Sequence, residues 1–94
     1  MNGMQTAFFR ALARIQEECV QTALCSYQAG DSVPDLLYDV TYETIISILT
    51  MIDGYDAENR LALIDRNTGA DLKECPFVEL HDAACVYLKI KDHV

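Results

Sequence analysis

The sequence predicts an α+β fold that is mostly helical, in which a long antiparallel helical hairpin carries a small β-hairpin and a C-terminal helix within one domain, residues 1–94. Three observations lead there. Residues 3–29 repeat apolar side chains at steps of three and four, and residues 32–54 form a long apolar stretch with helix signals at both ends. Asn67-Thr68-Gly69 then separates two short apolar runs with turn-forming residues.

The first helix is expected over about residues 3–29. Met4, Phe8, Leu12, Ile15, Cys19 and Ala23 align along one face, and Phe9, Val20, Leu24 and Tyr27 widen it. Arg10, Arg14, Glu17, Glu18, Gln21 and Gln28 fill a solvated face, on which the Arg14/Glu18 pair at i,i+4 adds only about 0.3 kcal/mol. Ala29-Gly30-Asp31 stops the helix, and so short a link makes the next helix an antiparallel neighbour.

The second helix, about residues 33–53, is the centre of the fold. Its IISILTMI segment is rich in β-branched residues and would pass for a buried strand on composition alone. Its ends decide the matter. Ser32 is a good N-cap, Pro34 has φ preset for a first turn, and Asp35 places negative charge at the positive end of the helix dipole. Gly54 accepts the left-handed conformation that ends a helix. The roughly twenty residues between span about 30 Å, long for a strand and ordinary for a helix. Leu37, Thr41, Ile45, Ile48 and Ile52 form a stripe expected to pack against the first helix. Tyr38, Tyr42 and Leu49 stand beside it, and Asp35, Asp39 and Glu43 occupy the opposite, solvated side.

A β-hairpin is expected over about residues 60–73, with Gly69 supplying the positive φ of a short loop and Leu61 and Leu63 sharing one strand face. The competing reading is a third helix capped by Asp56 and ended by Gly69, because AENRLAL contains good helix formers. The last helix, about residues 77–91, follows Cys75-Pro76 and repeats Leu80, Ala84, Tyr87 and Leu88 on one face. Lys89 and Lys91 close it where positive charge suits the dipole, and Asp92-His93-Val94 is expected to fray.

Seven Lys and Arg against fifteen Asp and Glu give a net charge of −8, which lacks the basic footprint of direct nucleic-acid binding and repels anionic membranes. Hydrophobic residues make up 51% of the chain, unlike a disordered acidic tail. Cys19, Cys25, Cys75 and Cys85 come without a secretory leader or an apolar run long enough to span a bilayer, so reduced thiols and a cytoplasmic location are expected.

No motif for catalysis stands out, and no cofactor is expected. Asp35, Asp39 and Glu43 at i, i+4, i+8 lack the Glu-x-x-His partners of bundle metal sites and read as a solvated face. His81 and Cys85, one helical turn apart, with Cys75 from the preceding loop, are weak metal candidates without a zinc spacing or a fourth ligand. Cys75 has no base or oxyanion hole to activate it. Glu79-x-x-Asp82 is half of the paired-acid pattern of helical nucleotide pyrophosphatases.

The stronger signal is a surface. Tyr38 and Tyr42, interleaved with Asp35, Asp39 and Glu43 and followed by Ile46, run along one flank of a helix that is apolar nearly all round, and 94 residues offer few elements to cover it. The expectation is a small, acidic, non-catalytic protein-interaction module that forms a homodimer through the central helix, with a basic protein as a further partner. Two alternatives are a metal-dependent hydrolase using Asp39, Glu43, Glu79 and Asp82, and an inhibitor or immunity-type protein that binds a basic partner.

Overall fold

The computed structural model describes residues 2–55, 59–73 and 79–90. The first helix, α1 (Gly3–Ser26), starts at a reciprocal cap: Asn2 Oδ1 accepts the Gln5 N–H (2.8 Å), and Gln5 Oε1 accepts the Asn2 N–H (2.9 Å). It buries Ala11, Ile15, Cys19 and Ala23, one residue every four, and three of these four side chains are small. Such a seam lets a second helix approach closely, and Cys19 Sγ lies 3.6 Å from Ser47 Oγ.

The second helix, α2 (Val33–Thr50), is held at its start by Ser32 and Asp35. Ser32 Oγ accepts the Asp35 N–H (3.3 Å), and Asp35 Oδ2 accepts the Ser32 N–H (3.1 Å). The link from α1 is fastened within itself, for Tyr27 Oη donates to the Asp31 carbonyl and Asp31 Oδ2 accepts the Gln28 N–H, both at 2.8 Å. The two helices form the antiparallel hairpin that the short link implies: Ala23 shares a cleft with Asp39 and Glu43, Cys19 meets Ser47, and Phe8 shares a pocket with Ile52. α2 continues into a wide π-helical turn, Met51–Tyr55, kinked at Gly54, where φ is +102°.

The core sits at this end of the hairpin. Ala11, Ile15 and Cys19 of α1, Met51 and Ile52 of the π turn, and Leu80 of the third helix form its buried centre. Phe8, Leu12, Ile48 and Leu49 pack against it. No residue of α2 itself is fully buried.

Two expected elements differ. Among the described residues there are three α-helices and no β-strand, so the β-hairpin over 60–73 is absent and the fold is helical rather than α+β. The chain does reverse at Asp65–Gly69, where Asp65 Oδ1 accepts the N–H groups of Asn67 (2.8 Å) and Thr68 (3.3 Å), and Gly69 has φ +78°. Only one antiparallel bridge forms, Ile64 with Asp71. Leu63, Ile64 and Leu72 remain exposed, and a two-stranded ladder gains too little to grow without a covered face.

The terminal helix is also shorter than expected. Over the described part of 77–91, only α3 (Leu80–Ala84) is helical. Tighter bonds follow it, from the N–H of Val86 to the Ala83 carbonyl (3.2 Å) and from the N–H of Tyr87 to that of Ala84 (2.9 Å). Val86 and Tyr87 face solvent, so no packing rewards further turns. Cys75, His93, the Asp56 cap and the ends of the predicted last helix lie outside the described residues.

Candidate functional site

Because α2 is apolar on nearly every side, its rotation about its own axis decides which apolar residues are covered and which are shown. Pro34, Leu37, Tyr38, Thr41 and Ile45, at i, i+3, i+4, i+7 and i+11, all face outward, with Leu37 55%, Tyr38 43% and Ile45 40% exposed. No charged residue interrupts the stripe. The Thr41 hydroxyl donates to the Leu37 carbonyl (2.7 Å), which turns its one polar group back onto the helix. Thr44 and Thr50 do the same, to Val40 (2.6 Å) and Ile46 (2.8 Å). Four of the stripe residues, Pro34, Leu37, Tyr38 and Thr41, line a shallow hollow of about 340 Å³. Lys89 Nζ lies 5.4 Å from the centre of the Tyr38 ring, within cation–π range.

This orientation corrects the face assigned from the sequence. Leu37, Thr41 and Ile45 are outside, although Ile48 and Ile52 of the same stripe do reach the core. The acids are turned the other way: Asp39 and Glu43 are half-buried along a cleft of about 210 Å³ that they share with Thr22, Ala23, Ser26 and Ile90. The small residues of α1 explain the choice. A seam of Ala and Cys accepts short side chains such as Ser47 and leaves no depth for Leu37 or Ile45.

Of the flank predicted for contact, Tyr38 alone lies on the outward stripe. Asp35 is committed to the α2 cap, and Asp39 and Glu43 line the cleft. Ile46 is half-buried, and Tyr42 donates to Cys85 Sγ (3.2 Å). That bond, first, and burial raise the Tyr42 pKa above the ordinary phenol value.

A second group converges on Asp53, whose side chain has no exposed surface. Its Oδ1 accepts the Leu80 N–H (2.9 Å) and lies 3.1 Å from Lys73 Nζ; its Oδ2 accepts the His81 N–H (2.9 Å) and the His81 ring Nδ1–H. Lys73 Nζ also donates to the Asp53 carbonyl (3.3 Å). Burial pushes the Asp53 pKa up, but the backbone and ring bonds from His81, the Leu80 N–H and Lys73 outweigh it and hold the carboxyl well below the usual carboxylate range. The His81 pKa is raised, chiefly by its bond to Asp53, against the opposing effect of burial and with help from the charges of Asp82, Asp53 and Glu79.

Among the described residues, Asp53, Glu79 and His81 are the one group whose potential ligand atoms lie within 4.8 Å of one another. They meet around an ammonium rather than an open cation position. Four N–H donors fill the four lone-pair directions of the Asp53 carboxylate, and Lys73 Nζ stands 3.9 Å from Glu79 Oε2. The weak metal candidates His81 and Cys85 do not converge, for Cys85 Sγ is bonded to the His81 carbonyl (3.2 Å) and Tyr42. The carboxylates Asp39, Glu43, Glu79 and Asp82 do not assemble into one group either.

Asp53 and Lys73 were not singled out by the sequence. Asp53-Gly54 reads simply as the end of a helix, and nothing local announces that a carboxylate there caps a segment 27 residues away. No described helix is long and apolar enough to cross a membrane. No family model matches the chain, and no curated protein or solved structure is significantly similar to it.

Proposed function

We propose that this protein is a non-catalytic interaction module that forms a homodimer through the outward face of α2. One observation carries the reading: the stripe Pro34, Leu37, Tyr38, Thr41 and Ile45 is solvent-facing, apolar and uncharged in a chain of net charge −8, while α2's acids are turned aside. A basic partner would find no carboxylate on this stripe to steer it and would meet the Lys89 ammonium over Tyr38, whereas a second copy presents the same largely apolar surface in an isologous contact.

The area balance leaves room for a second copy. The chain exposes 6889 Å², whereas a compact monomer of its 10.5 kDa mass exposes roughly 5,400 Å². That excess is shared by the α2 stripe with Met4 and Phe9 of α1 and with Leu63, Ile64 and Leu72. The radius of gyration, 15.4 Å, likewise exceeds the roughly 12 Å of a compact domain of this length. Among the described residues, Cys19, Cys25 and Cys85 are free thiols.

Sedimentation equilibrium tests the reading. The wild-type chain is expected to run as a dimer whose population falls on dilution, and Ile45→Glu is expected to run as a monomer with an unchanged helical circular dichroism spectrum. A wild-type chain that stays monomeric at millimolar concentration would sink the proposal.

A further inference from the structure

Three separate parts of the chain meet on one fully buried carboxylate. Asp53 lies at the end of the π turn, Lys73 comes from the segment after the 65–69 turn, and Leu80 and His81 open α3. The residues after α3 lie back along α2, where Cys85 accepts the Tyr42 hydroxyl and Lys89 sits over the Tyr38 ring. Ile90 also reaches the cleft between α1 and α2, and Ala83, Ala84 and Leu88 are half-buried. Val86 and Tyr87 are exposed, and Leu80 is its one fully buried side chain among the described residues. The Asp53 bonds therefore act as the clasp of a strap formed by residues 79–90.

We propose that this strap is proton-gated: protonated His81 clasps it to Asp53, and loss of that proton loosens residues 79–90 from the Tyr38/Tyr42 flank of α2. Among the described residues, the charges around His81 come from the π turn, from Lys73 and from the start of α3. Asp53 faces its Nδ1, Asp82 Oδ1 stands 3.4 Å from its Nε2, Glu79 Oε2 lies 4.0 Å from Nδ1, and Lys73 shares the same carboxylate. Tyr55 meets the ring edge-on at 5.7 Å between centroids. Three carboxylates against one ammonium favour the imidazolium. A neutral ring still donates from Nδ1, but a charge-assisted bond to a buried carboxylate is about twice as strong. Since folding raises this pKa, the His81 contribution is complete below the unfolded value of about 6.5 and is lost as pH rises through the raised folded value.

The inference does not depend on self-association and is tested separately from it. Amide hydrogen exchange, corrected for intrinsic rates, is measured for residues 80–88 and for α1 between pH 5.5 and 9. Protection over 80–88 is expected to fall by about tenfold across the raised His81 pKa while α1 is unaffected. His81→Asn, whose amide keeps a neutral donor near the Nδ1 position but cannot titrate, is expected to give a flat profile. Equal pH profiles in wild type and His81→Asn, or loss of protection that α1 shares, would overturn the proposal.

Discussion

The two ends of the helical hairpin differ in how they treat apolar residues. At the end built from the first half of α1, the π turn and α3, residues from three elements close a core and even a carboxylate is fully buried with its donors satisfied, although Met4, Phe9 and Tyr55 on its rim stay exposed. At the other end, α2 begins with a well-formed cap and then exposes Leu37, Tyr38 and Ile45, while Leu24 of α1 and Tyr27, the residue after it, are exposed too. Cap quality and local helix strength are therefore separate from burial. A helix can be securely begun by its own residues and still leave large apolar side chains uncovered.

The comparison breaks most readily at the closed end. Ile15→Ala removes a buried branched side chain and should cost about 2–5 kcal/mol, read as a lower midpoint in urea unfolding with an unchanged slope. Asp53→Ala leaves Lys73 and two backbone N–H groups without their acceptor and should cost about 3 kcal/mol, with α3 losing hydrogen-exchange protection before α1 does.

A smaller effect is expected from the cap at the open end, where Ser32→Ala should cost about 1 kcal/mol. Leu37→Ala sharpens the contrast most. In dilute solution it should change stability by less than about 0.5 kcal/mol, because the side chain is already exposed, and its cost should grow with protein concentration if a second copy covers it. A concentration-independent cost as large as that of Ile15→Ala would mean that the two ends are equally closed.

Much of this was legible in the sequence. The three-and-four spacing of α1, Ser32 with Asp35, and Gly54 are local signals, and local chemistry fixes helix starts and stops. Asn67-Thr68-Gly69 also signalled a real reversal, but a turn does not determine how many ladder pairs follow it. Rotation of α2 was not legible. Its acids suggested the solvent side, yet the side chains of α1 choose the partner face, and Ala11, Cys19 and Ala23 choose by volume rather than by charge. The Asp53 clasp depends on contacts across 20 to 28 residues, and no periodicity within one element encodes them.

The seam along α1 also governs which changes the chain can absorb over evolutionary time. Ala11 and Ala23 act as spacers that set the distance between the two helices, so a larger residue at either position must push α2 outward or turn it about its axis. The outward stripe can vary in size with little effect on the monomer, but a lineage that enlarges the seam changes which stripe faces out. The outward surface of such a chain can therefore change through residues that are themselves buried.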